Sequence, residues 1–176
     1  MPFRSILFVP GASPDRFNKA TQAKADAVCI DLEDSVAIHL KKQSREAVTD
    51  YLSMRTTGTP VGVRINPMNS VDGLLDVVAL VEKNAQPDFI MLPKVESHLE
   101  LNQLKVIIGD ECPIWPTIES PIGLSAANSI ALAVSEEACI LFGGADFAAS
   151  LGSDMSWHAL HHARGVIVNA AAISGS

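Results

Sequence analysis

Short apolar runs rich in β-branched residues alternate along this chain with stretches of helical spacing. The runs occupy positions 5–9, 27–32, 61–65, 89–92, 114–118 and 138–142, and each predicts a strand. Helical patterns fall at 14–25, 41–52, 71–84, 99–108, 124–133 and 158–173, the second of them basic at its start. Ser13 reads as the N-cap of the first helix, with Pro14 at its first position and Asp15 as a first-turn acid. Near-continuous apolar strands are expected where helices cover both faces of a sheet. The alternation therefore predicts repeated βα units around a parallel sheet.

The polar residues fall at informative places. Glu33 and Asp34, Arg64, Lys94, Glu119 and Asp146 all follow the C-terminal end of a predicted strand. In parallel α/β folds that edge is where ligands bind. A succession of such strand ends suggests one site assembled from successive strands.

Composition narrows the class. With 176 residues, 48% hydrophobic, 19% charged and a mean hydropathy of +0.23, the chain suits one aliphatic α/β domain and disfavours disorder. The net charge of −7 argues against general nucleic-acid binding, which needs clustered cations. An anionic ligand must then be met by local positive charge or a metal ion. Cys29, Cys112 and Cys139 show no CxxC spacing and read as free thiols suited to a reducing cytosol. The apolar stretch near the N-terminus is too short for a signal segment or a membrane span, so a cytoplasmic protein without a membrane partner is expected.

Glu119 in "TIESPIGL" and Asp146 in "GGADFAASLG" form the sharpest pair. Neighbouring strands lie about 4.8 Å apart, so two such carboxylates could share one hard cation. The competing reading makes them caps of the helix and turn that follow. Gly143 and Gly144 permit close backbone approach, either for a ligand carboxylate or for a simple turn. Arg64 in "VGVRIN" wants a carboxylate, which could be a ligand's or one of Asp31, Glu33 and Asp34 on the adjacent strand. Lys94 in "MLPKVES" reads either as a Schiff-base lysine or, preferably, as an ion-pair partner such as that of Glu96. His158, His161 and His162 have ligand-like helical spacing without an acidic companion, and a surface helix explains them.

The ordered motifs "RSILFVPGASPDRFNKA", "ADAVCIDLEDSV", "VRIN", "LPKVES", "TIESPIGL", "LFGGADFAASLG" and "ARGVIVNAAAISG" resemble the citrate lyase β-subunit-like proteins of the HpcH/HpaI aldolase superfamily over nearly the whole chain. The resemblance implies a TIM-type (β/α)8 barrel, with about six βα units present here as a single incomplete domain. It also implies Mg²⁺-dependent cleavage of a 3-hydroxyacyl-CoA of the citryl-, malyl- or citramalyl-CoA type to acetyl-CoA and a 2-keto acid. CoA enters as part of the substrate, and the assembly expected is a homotrimer or hexamer. Position by position, Glu119 and Asp146 match the metal ligands, and Arg64 the arginine that binds the keto-acid carboxylate or enolate oxygen. Gly144, Ala145 and Asp146 match the carboxylate-binding turn, and Arg16 and Lys19 lie where CoA phosphates would be met. Glu33 and Asp34 read as groups that orient Arg64 and metal-bound water, with Asp31 structural.

The departure from the family pattern is length. A closed barrel has eight strands, and the resemblance places an acid/base aspartate in a later segment that nothing here matches. Six units would leave open sheet edges. Two other readings stand beside the lyase: a metal-dependent aldolase of free hydroxy-keto acids, and a catalytically silent subunit that keeps the metal and keto-acid pocket.

Overall fold

The computed structural model describes residues 3–56 and 58–175. Six strands alternate with helices, the repeat of a partial TIM-type α/β fold that the hydrophobic pattern predicts. The chain forms two compact units, Met1–Met91 and Leu92–Ser176.

In the first unit, β1 (Ile6–Pro10), β2 (Ala27–Asp31), β3 (Val61–Arg64) and the first two residues of β4 (Ile90–Leu92) pair in parallel and in sequence order. All five residues of β2 are buried, as expected for a strand covered on both faces. The register sets Asp31 beside Arg64, the last residues of β2 and β3. Gly62 is required by packing, because a Cβ there would fall on the Phe89 ring. The helices of this unit are α1 (Phe17–Thr21), α2 (Lys41–Met54) and α3 (Val71–Glu82). Val48 and Leu52 of α2, and Val77 and Leu80 of α3, join the core. Fully burying one such side chain stabilises the fold by about 1.5–3 kcal/mol.

The second unit carries β5 (Ile114–Ile118) and β6 (Leu141–Phe142), parallel neighbours in the register Thr117↔Leu141 and Ile118↔Phe142. Its helices are α4 (His98–Ile108), α5 (Pro121–Ser125), α6 (Ala127–Ala133), α7 (Gly144–Leu151) and α8 (Trp157–Ser174). A capping box of Ser97 and Glu100 starts α4. Phe147 and Ala148 of α7 pack on Leu160 and Ala163 of α8.

Four elements differ from the sequence pattern, one of them α7, an eight-residue helix in a stretch where no helix is predicted. The first predicted helix is a 3₁₀ turn, Pro14–Arg16, followed by the short α1. Ser13 makes no side-chain cap, and Lys24 turns the chain at φ 61°, so only Phe17 and Ala20 are drawn into the core. The helix predicted over 124–133 begins earlier, at Pro121, and is divided at Ala126, whose backbone leaves the helical region (φ −94°, ψ 3°). The strand predicted over 138–142 is reduced to Leu141–Phe142, because a turn closed by Ala138 N–H to Ser135 O precedes it. Among the described residues no helix is long and apolar enough to cross a membrane.

Candidate functional site

The β2 and β3 ends of the first unit gather its chemistry. Arg64 donates from Nε to Asp31 Oδ1 and from Nη2 to Asp31 Oδ2, each at 2.6 Å. Its Nη1 lies 3.1 Å from Glu33 Oε2, and its guanidinium sits over the Phe8 ring at 5.4 Å from the centroid. Asp31 also accepts from the backbone amides of Glu33 (2.9 Å) and Ser35 (3.1 Å), which turns the chain after β2. Burial opposes ionisation of Asp31, yet the bonds from Arg64, Ser35 and Glu33 and the Arg64 charge outweigh it and hold its pKa below the carboxylate range. Burial likewise works against the Arg64 cation, but Asp31 first, then the charges of Glu33 and Asp34, raise its pKa further. Asp31 and Glu33 are buried, and Asp34 is exposed.

A second polar layer supports this edge. The buried Lys41 ammonium donates to Leu32 O (2.7 Å), Glu33 O (2.6 Å) and Asn66 Oδ1 (2.6 Å). Asn66 in turn donates from its amide and side chain to Asp76 Oδ2, while Arg45 binds Asp76 and Asp72. Desolvation raises the Asp76 pKa despite these donors. Lys41 therefore pulls the carbonyls of Leu32 and Glu33 while Asp31 holds the amides of Glu33 and Ser35. The sequence pattern alone assigns Lys41 to a basic helix face. Its burial becomes legible only once Leu32, Glu33 and Asn66 are seen as three acceptors around one ammonium.

The ends of β5 and β6 in the second unit hold the carboxylates. Glu119 follows Ile118, the last residue of β5, and is buried. Gly143 follows β6 one register step on, and its amide donates to Ile118 O at 3.0 Å. A Cβ at Gly143 would stand 2.5 Å from Glu119 Cγ and 2.9 Å from Oε1, so the glycine lets this backbone lie directly against the carboxylate. Asp146 sits exposed in the first turn of α7. The first intrahelical bond runs from Phe147 N–H to Gly143 O. The amides of Gly144, Ala145 and Asp146 thus belong to the turn in which a helix leaves its donors without intrahelical partners. Ser120, not Glu119, accepts from Gly123 N–H at the start of α5, and no side chain caps α7.

Glu119, just after β5, and Asp146, in the first turn of α7, carry oxygen donors of the kind that Mg²⁺ takes, an ion that keeps several waters and takes further oxygens from substrate. Among the described residues no group of three or more His, Cys, Asp or Glu side chains could hold a metal. His158, His161 and His162 all lie exposed on α8, in keeping with a surface helix. Arg16 and Lys19 are exposed on the first unit. Lys94 follows β4 in the left-handed region at φ 54°, a conformation costing about 1 kcal/mol for a residue other than glycine. A feature the sequence reading did not single out is Arg164 of α8, stacked over Trp157 (4.8 Å) and Phe142 (5.8 Å). It thereby braces the residue that precedes Gly143.

Comparison with known proteins gives the chain its relatives. Residues 4–176 match the family model described as HpcH/HpaI aldolase/citrate lyase. A (3S)-malyl-CoA thioesterase of Cereibacter sphaeroides is 35% identical over 131 residues, covering 74% of this chain and 45% of that protein. The citrate lyase subunit beta of Haemophilus influenzae is 31% identical over 169 residues, covering 87% and 56%. Among solved structures, RipC from Yersinia pestis superposes with a TM-score of 0.84 at 35% identity, covering 98% of this chain and 73% of that one. CitE from Mycobacterium tuberculosis, in complex with magnesium, acetoacetate and coenzyme A, superposes with a TM-score of 0.79 at 31% identity, covering 97% and 62%. The chain spans about half the length of the curated relatives it matches.

Proposed function

The chain belongs to the HpcH/HpaI aldolase/citrate lyase family, and from that premise we propose that it serves Mg²⁺-dependent carbon–carbon cleavage of a 3-hydroxyacyl-CoA, releasing acetyl-CoA and a 2-keto acid. The observation that carries the reading is the Glu119 carboxylate laid against Gly143 at the strand ends, with Asp146 in the next turn. These two acids would hold the ion. When bound, Mg²⁺ would supply a Lewis acid that draws electron density from the reacting oxygens. The reaction removes the proton of the 3-hydroxyl, breaks the C2–C3 bond and leaves the electron pair as an enolate of the thioester, which is then protonated at C2.

The chain's own groups have distinct tasks in this reading. Asp31 takes the Nε–Nη2 edge of Arg64 and Glu33 lies beside Nη1, so a keto-acid carboxylate or enolate oxygen would be met by the remaining N–H groups of Nη1 and Nη2. Glu33, beside Nη1, fixes the angle of that fork, and Asp34 adds negative charge near it. The amides of Gly144 and Ala145 would receive a substrate carboxylate. Arg16 and Lys19 would meet CoA phosphates from the first unit. A homo-oligomer in the cytoplasm fits the free thiols and the family resemblance.

Thioester cleavage measured with and without EDTA tests the reading, alongside Glu119→Gln and Asp146→Asn. Turnover that needs Mg²⁺ and falls at least about 100-fold in either variant is expected. Metal-independent turnover, or full activity in both variants, would sink these roles. Preference for the free hydroxy acid over its CoA ester would replace the lyase by an aldolase. Calorimetric binding of Mg²⁺ and pyruvate without turnover would replace it by a binding subunit.

A further inference from the structure

Lys41 opens α2, the end of a helix at which a cation is electrostatically disfavoured, yet it is only 9% exposed. An ammonium has three donors, and here all of them meet oxygen: Leu32 O at 2.7 Å, Glu33 O at 2.6 Å and Asn66 Oδ1 at 2.6 Å. Two of these acceptors are carbonyls and the third is an amide oxygen, so dipoles rather than a carboxylate receive the charge. Other bonds hold the acceptors in place. Leu32 N–H donates to Arg64 O, which fixes that residue against the end of β3. Asn66 directs its Nδ2 donors to Leu32 O (3.0 Å) and Asp76 Oδ2 (2.7 Å), and this leaves Oδ1 to face Lys41. Arg45 Nε pins Asp76 from its other oxygen at 2.6 Å.

We propose that Leu32 O, Glu33 O and Asn66 Oδ1 form a binding seat for a primary ammonium ion, which this chain fills with its own tethered side chain. Three fixed acceptors match the three N–H donors of such an ion one for one. Divalent cations are excluded, because they need carboxylate ligands to offset their dehydration. The tether keeps the seat occupied, so the turn after β2 holds its shape whatever cations surround the protein. Truncation of the side chain then opens the seat to a free ion of the same chemistry. Lys41→Ala removes Cγ to Nζ, a space long enough for ethylammonium. Lys41→Met leaves an apolar stem in that space and keeps it closed. The seat stands independently of the catalytic reading.

Amide hydrogen exchange and thermal melting of the full chain test this. In Lys41→Ala the Glu33 and Ser35 amides should exchange at least about tenfold faster than in wild type. Ethylammonium should bring them back to within about threefold and raise the melting temperature in a saturable manner, as binding to the native state requires. Tetramethylammonium at equal ionic strength has no N–H donor and should do neither. Wild type and Lys41→Met should respond alike to the two salts. The wild-type ammonium gives a second measurement that needs no variant. Its Nζ protons should exchange at least about tenfold more slowly than those of the exposed Lys42, read by NMR. Equal exchange at Lys41 and Lys42, or a Lys41→Ala protein that answers ethylammonium and tetramethylammonium identically, overturns the seat.

Discussion

Asp31 and Arg64 end neighbouring parallel strands, stand opposite each other in the register, and meet through two bonds of 2.6 Å. Strand pairing alone brings their side chains to the same edge, and the planar fork of arginine completes the match. The carboxylate is 2% exposed, so its ionisation is tied to the folded state.

Asp31→Asn should cost about 3 kcal/mol near neutral pH, because it removes the bidentate carboxylate of a largely buried guanidinium and leaves it only Glu33 beside Nη1. Since the folded pKa of Asp31 is depressed, its contribution is fully present above the ordinary carboxylate value of 3.8. It is lost as pH falls through the lower folded value. Urea unfolding of wild type and variant between pH 7 and roughly pH 2 should show the difference shrinking only below about pH 4. A difference that stays constant down to the lowest pH would refute the linkage. Asp76 has the opposite sign, its raised pKa adding stability as pH falls, and it acts equally on both proteins.

Gly143 has ordinary backbone angles, φ −82° and ψ 76°, so alanine there meets no left-handed penalty. Its new methyl group would instead press on Glu119. Gly143→Ala should weaken Mg²⁺ binding by about 10- to 100-fold while shifting the melting temperature by only a few degrees. Calorimetric titration with Mg²⁺ decides this, and an unchanged affinity would separate the glycine from metal binding.

Lys41→Met keeps the unbranched stem of the side chain but lacks its terminal nitrogen, which removes three hydrogen bonds. Leu32 O, Glu33 O and Asn66 Oδ1 then lose a donor, and a loss of about 2–3 kcal/mol is expected. Hydrogen exchange at the Glu33 and Ser35 amides should quicken more than at the amides of β5. Equal acceleration in both places would reduce Lys41 to a general stability role.

Gly62→Ala probes the β3 core. The added methyl collides with the Phe89 ring, and overpacking of this kind costs about 1–3 kcal/mol. Denaturant midpoints should fall without a change in slope. Stability equal to wild type would mean that the ring can move aside.

Most strands and the helices α2, α3, α4 and α8 were legible because their signals are local, whereas α7 was missed. The strand over 114–118 and the helix from Val71 are set by apolar runs, by β-branched residues and by caps such as Ser70 and Ser97. The first helix and the β6 strand misled for the opposite reason. Their lengths depend on which residues find a core or a strand partner, and only Leu141 and Phe142 pair with β5. The acidic run at Asp31, Glu33 and Asp34 was visible as a cluster in need of cations, yet sequence left open whether Arg64 would answer it.

Sequence by itself determined the βα repeat, the family, and the placement of charged residues after strand ends, because periodicity and motif order follow from composition along one chain. Tertiary structure decided the rest. Register chose Asp31 as the fork partner of Arg64, and burial turned Lys41 from a surface cation into a clamp on two carbonyls. A missing methyl group let Gly143 lie against Glu119. Each of these is a relation between residues distant in sequence, and only closure of the fold at a defined register makes such distances short.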